Sequence, residues 1–156
     1  MAAYRMSAQE YRVYIAQNSK KKTKHRNNIV YVFSDGFVST SKEDAQKHGK
    51  ISDKFDSEKE YQRWAQLRLL ERSGKISGLK KQVPIPIFEE FSGSDGKKHR
   101  AIQYKADFVY IEDGKEIVED VKGFDRKSGK YLMTETFRLK WKLLIATYPE
   151  KVFRLF

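Results

Sequence analysis

Cysteine is absent from the 156 residues, which excludes disulfides and thiolate metal sites. Histidine is scarce: only His25, His48 and His99 occur, all in polar surroundings, so a metal here would be held mainly by carboxylate oxygen. No apolar run approaches the roughly 20 residues that a bilayer span needs. The opening MAAYRMSAQEYR also lacks the apolar stretch and cleavage site of a secretory signal. The expectation is a protein without membrane association that stays in the cytoplasm. Proline is limited to three residues, and two of them, Pro84 and Pro86, fall in one extended run.

Positive charge is abundant. Lys and Arg number 32 against 21 acids, for a net charge of +11, and a surplus of this size on one small domain attracts phosphate. Lysine-rich surfaces also aid solubility, so charge alone leaves both readings open. At 39% hydrophobic and 13% aromatic residues, the composition can build a core.

Residues 7–17 suit a short helix capped by Ser7, with Glu10 three residues on. The cluster that follows, with Lys20, Lys21, Lys22, Lys24 and Arg26, has no apolar residue to pack. It reads either as a solvated tether or as an arm that contacts phosphate. These segments form a basic extension over 1–34, ahead of a domain over 35–156. A short strand is expected over 29–35, and 39–54 reads as polar and irregular. The regular domain then begins near Phe55, with a helix from Ser57 to about Ser73 that Gly74 stops. An extended run around Pro84 and Pro86 is confined to a sheet edge. Strands over 100–112 and 115–122 flank a tight Asp113-Gly114 turn. A second helix runs from Thr134 to about Tyr148, and VFRLF ends as a strand. The order helix, three strands, helix, strand predicts an α+β or α/β layer in which both helices cover a mixed sheet.

Turn chemistry sets the register. A two-residue Asp113-Gly114 loop pairs Glu112 with Lys115, and the same index sum places Asp107 opposite Asp120. Directly opposed like charges are destabilising, so either a cation lies between them or the pair sits on a solvent-exposed hairpin face beside salt-bridge partners. Phe108, Val109, Tyr110, Ile117, Val118 and Val121, spread over both faces, favour a central, two-sided strand pair. Strand alternation puts Lys122 on the face of Asp120 and turns Glu119 and Val121 away. Hard oxygen ligands suit Mg²⁺ or Mn²⁺, which would acidify a water molecule and neutralise charge on a scissile phosphate. Glu60 has two readings. Ser57 and Glu60 form a capping box, yet Glu60 also lies in line with Trp64 and Leu67 and can lean toward the sheet.

Taken together, Glu60, Asp107 and the triplet Asp120-Val121-Lys122 resemble the PD-(D/E)XK nuclease superfamily. FDSEKEYQRW (55–64), QVPI (82–85), YKADFVY (104–110) and VEDVKGF (118–124) are similar to a phage and prophage family of small endonucleases likened to Holliday-junction resolvases. The resemblance spans roughly Asp35 to Phe156. It implies a restriction-endonuclease-like αβββαβ core, with Asp107, Asp120 and the Val121 carbonyl as ligands for Mg²⁺ or Mn²⁺. Lys122 takes the place of the motif lysine, and Glu60 is the first-helix acid and a candidate further ligand. Ala106 replaces the proline usual before the first aspartate. Gln82 is a candidate accessory residue or a solvent-facing strand position. Arg138, Lys140 and Lys142 on the second helix, opposite Phe137, Trp141, Leu144 and Ile145, form either a solvated face or a DNA-contacting one. The implied partner is DNA, with branched DNA as a candidate substrate, and cutting at a junction calls for a homodimer. The alternatives are a non-catalytic nucleic-acid-binding protein on a nuclease scaffold and an RNA-directed nuclease.

Overall fold

The computed structural model describes residues 28–156, so the expected helix over 7–17 and Lys20, Lys21, Lys22, Lys24 and Arg26 lie outside the described residues. The described elements, in chain order, are β1 (Val30–Phe33), β2 (Val38–Ser39), a 3-10 turn (Lys42–Asp44), α1 (Ala45–His48), β3 (Ile51–Phe55) and α2 (Glu58–Arg72). They continue as β4 (Ser77–Phe88), β5 (Phe91–Ser92), β6 (Lys98–His99), β7 (Ile102–Glu112) and β8 (Lys115–Asp120). The last are β9 (Phe124–Asp125), β10 (Lys130–Tyr131), α3 (Glu135–Thr147) and β11 (Val152–Leu155). The fold is α+β, built on a mixed four-stranded sheet in the order β11-β8-β7-β4, and it matches a restriction-endonuclease-like core in its αβββαβ succession. β11 runs parallel to β8 and the other pairings are antiparallel. Among the described residues, no helix is long and apolar enough to cross a membrane.

Local chemistry explains the boundaries. The Ser57 hydroxyl accepts the Glu60 N–H at 3.1 Å to open α2, and Gly74, at φ 72°, supplies the left-handed residue that ends it. Thr134 caps α3 in the same way through the Phe137 N–H. Asp113 and Gly114 both have positive φ, 50° and 73°, as a two-residue turn matched to strand twist requires. Among the described residues β4 has a single sheet partner, so Pro84 and Pro86 sit on an edge where a missing N–H costs no ladder bond.

Each face of the sheet buries its own core. Val109 and Val118 pack with Phe137 and Leu144 of α3, while Phe108, Tyr110 and Ile117 pack with Leu67 of α2. Each fully buried side chain of this size contributes about 1.5–3 kcal/mol. This two-sided burial matches the expectation of a central strand pair. Ile145, placed on the apolar side of the second helix from sequence, is 47% exposed, because Leu144 next to it faces the sheet.

The segment 39–54 is not irregular. It contains the 3-10 turn, α1 and β3, and β3 pairs antiparallel with β1. Asp53 and Lys54 mask the alternation of Ile51 and Phe55, which is why the strand is hard to see in sequence. Among the described residues regular structure therefore begins at Val30, ahead of Phe55, and β1 and β3 pair across the division drawn at 34/35.

Candidate active site

The β7–β8 ladder keeps the register set by the turn, from Glu112–Lys115 to Phe108–Glu119. The paired register stops there, one step short of Asp107 and Asp120. Beyond it Asp107 Oδ2 accepts the Val121 N–H at 2.8 Å, and the charge of Asp120 reaches the Asp107 carboxyl. The two aspartates thus meet where the ladder ends. Asp120 is 2% exposed, and its carboxylate accepts from the Tyr104 hydroxyl and from the Lys122 ammonium. Lys122 shares the face of Asp120, with its Nζ 4.3 Å from the centre of the Phe137 ring of α3. Glu119 and Val121 turn the other way, toward α2.

β7 and β4 change faces at this level. Tyr104 and Ala106 belong to the α3-side core, but Phe108 and Tyr110 belong to the α2-side core, although simple alternation would keep all four together. On β4, the Lys81 ammonium lies 5.8 Å from the Trp64 ring of α2, whereas Val83 packs on the α3 side. Between them Gln82 adopts φ 54°, a left-handed conformation that costs a non-glycine residue about 1–2 kcal/mol. That backbone turn lets the Gln82 amide donate to Asp107 Oδ1 at 3.2 Å. Gln82, open from sequence as an accessory residue or a solvent-facing strand position, is half-buried beside Asp107. Tyr104 was not singled out from sequence, because alternation places it on the face opposite Asp107.

Glu60 combines its two readings in altered form. Its carboxylate accepts from the Ser57 hydroxyl at 3.1 Å and from the Asp56 N–H at 3.3 Å, so the returning bond goes to Asp56 and not to the Ser57 backbone. Burial raises its pKa, the two hydrogen bonds oppose that rise, and the negative charges of Asp56 and Asp120 add to it. Glu60 therefore feels the aspartate pair. Beside it opens a cleft of about 260 Å³, lined by Lys54, Phe55, Glu60, Lys81, Gln82 and Lys105 among others.

Burial, and then the charge of Asp120, push the Asp107 carboxyl up to about 7. A second negative charge is thus unfavourable in the metal-free site. Among the described residues, no three His, Asp or Glu side chains cluster closely enough to bind a metal by themselves. A cation here would depend on two carboxylates and a backbone carbonyl. That donor set fits Mg²⁺ or Mn²⁺, which commonly use one or two protein carboxylates and complete their shell with water and phosphate.

A pH dependence follows. The folded state holds the Asp107 proton more tightly than the unfolded chain, so its contribution to stability is complete below about pH 4 and is lost as pH rises through about 7. In EDTA, the wild-type melting temperature should fall between about pH 5 and pH 8 by more than that of Asp107→Asn. Equal slopes in thermal melts of the two proteins would show that Asp107 ionises without strain.

The other sequence candidates lie elsewhere. Arg138 and Lys142 are exposed on α3, and the Lys140 ammonium is engaged by the Gln103 carbonyl at 3.0 Å. On the α2 side, sequence gave no sign that Glu119, 1% exposed, would be bound by Arg63 at 2.6 and 2.8 Å and by the Tyr110 hydroxyl at 2.8 Å. No curated protein matches the chain. One family model matches residues 40–155, which is most of the chain, and the chain belongs to that family, described as "Protein of unknown function (DUF1064)".

Proposed function

We propose that this protein is a Mg²⁺- or Mn²⁺-dependent DNA endonuclease of the PD-(D/E)XK type, phage-related and directed at branched DNA such as Holliday junctions. The observation that carries the reading is the meeting of Asp107 and Asp120 at the end of the β7–β8 ladder, with Lys122 on the same face.

Asp107, Asp120 and the Val121 carbonyl would hold the cation, with Glu60 close enough in charge to add an outer contact. When bound, such a cation supplies Lewis acidity toward phosphate and an acidified water at neutral pH. The protein's own groups do the positioning. Gln82 and the Val121 N–H fix the Asp107 carboxylate, and the Tyr104 hydroxyl fixes Asp120. Lys122 supplies a cationic donor where charge grows on the scissile phosphate.

Purified protein incubated with four-way junctions, flaps and linear DNA should cut in Mn²⁺ and not in EDTA, and Asp120→Ala should be inactive. Cutting that persists in either control would defeat the proposal. Equal cutting of linear duplex would remove preference for branches, and faster cutting of matched RNA would move the substrate class.

Tyr104 gives a separate test. Removing a hydrogen bond that orients a metal ligand typically weakens metal affinity 10–100-fold. Tyr104→Phe should therefore bind Mn²⁺ at least about tenfold more weakly by calorimetry, with its fold retained. Unchanged affinity would show that the hydroxyl does not orient Asp120 for a cation.

A further inference from the structure

We infer that the cleft between β3, β4 and β7 is the seat of the DNA backbone beside the aspartate pair, with Lys54 and Lys105 as its phosphate contacts. This rests on the nuclease reading and adds which side of the site the strand occupies. The cleft shares two residues with the site: Gln82, which donates to Asp107, and Glu60, which feels the charge of Asp120. A strand lying in it would therefore have a phosphate next to the aspartates.

The three lysines of the cleft differ in availability. Lys81 is already engaged, paired with Asp53 and 4.5 Å from the Phe55 ring centre. Lys105 is exposed on β7, and among the described residues it makes no ion pair or side-chain hydrogen bond. Lys54 is exposed at the end of β3 and faces Asp56 at 3.6 Å, a solvent-exposed pair of little worth that a phosphate can replace. The two lysines thus line one opening from separate strands, Lys54 from β3, which is laddered to β1, and Lys105 from β7, which is laddered to β4.

This arrangement is unlike the candidate DNA face on α3, where Lys140 is bound to Gln103. The engaged Lys81 has a role of its own. Its ammonium, beside the Phe55 and Trp64 rings and Asp53, ties β4 to β3 and α2.

The test is DNA binding by the full chain carrying Asp120→Asn, which removes cutting, measured by fluorescence anisotropy with a labelled duplex and a labelled four-way junction. Two further charge pairs are removed in that background. Lys54→Ala/Lys105→Ala empties the cleft, and Lys75→Ala/Lys115→Ala removes equal charge from exposed positions at the hairpin end of the sheet. The cleft variant should bind about tenfold or more weakly near 0.1 M salt, and its dependence of log K on log salt should be shallower by about one to two. The control should lose less than about threefold.

Equal losses from both variants, or none from the cleft variant while the parent binds, would overturn the inference and leave the nuclease reading standing. A parent that binds neither DNA at low salt would defeat both. Both cleft lysines are exposed, so thermal melts of the variant should match the parent, which separates lost contacts from lost folding.

Discussion

Asp107→Asn should abolish cleavage and at the same time make the metal-free protein more stable. The wild-type carboxyl is pushed up to about 7 by burial and by Asp120, so at pH 7.5 it ionises at a cost to the fold. A neutral amide removes that cost, and its oxygen can still accept the Val121 N–H while the Gln82 amide turns over to accept from the new nitrogen. The gain should be about 1–3 kcal/mol after allowance for solvent, or several degrees in melting temperature. Cleavage in Mn²⁺ should fall by at least about a thousandfold, the scale expected when several kcal/mol of charge stabilisation is lost. Loss of activity with loss of stability would mean that Asp107 is a structural residue. Retained activity would remove it from the site.

Arg63→Ala should be the most damaging single change on the α2 side. Its guanidinium holds the buried Glu119 carboxylate with two bonds and lies 4.3 Å from the Phe156 ring centre, so one side chain joins α2, β8 and the end of the chain. Removing it leaves Glu119, among the described residues, with only the Tyr110 hydroxyl as a partner. An uncompensated buried charge costs about 3–5 kcal/mol, which for a chain of this length lowers the melting temperature by about 6–20 °C. Most of the loss comes from stranding the charge. Arg63→Met combined with Glu119→Gln should therefore recover much of it in thermal or urea unfolding. A double variant no better than Arg63→Ala would show that the arginine's packing, and not its charge, is what matters. Because Glu119 and Asp120 are neighbours facing opposite sides of β8, the same unfolding also removes the site.

Much of the site was legible because one turn is unambiguous. Asp113-Gly114 can close a two-residue hairpin, and the register of β7 and β8 follows by counting, which brings Asp107 to Asp120. The caps at Ser57 and Thr134 and the stop at Gly74 are equally local signals, and both helices begin where they indicate. The face change at Gln82 and Asp107 could not be read this way. A left-handed residue usually announces itself as glycine or asparagine, and here it is glutamine, so strict alternation misplaces Tyr104 and hides its bond to Asp120. β3 was missed because a charged residue, Asp53, stands between Ile51 and Phe55 on its inner face. With it went Lys54, and so the cleft that β3 helps to form. Arg63 and Glu119 are far apart in sequence, and a buried ion pair leaves no periodic trace.

The central claim is that Asp107 and Asp120 form a divalent-cation site that serves cleavage. Anomalous diffraction from crystals grown with Mn²⁺ tests it most directly. The account predicts a peak bonded to both carboxylates and the Val121 carbonyl in the wild type, and none there in the inactive Asp120→Asn. A peak at other residues, or an empty aspartate pair in a protein that cuts DNA in Mn²⁺, would contradict it.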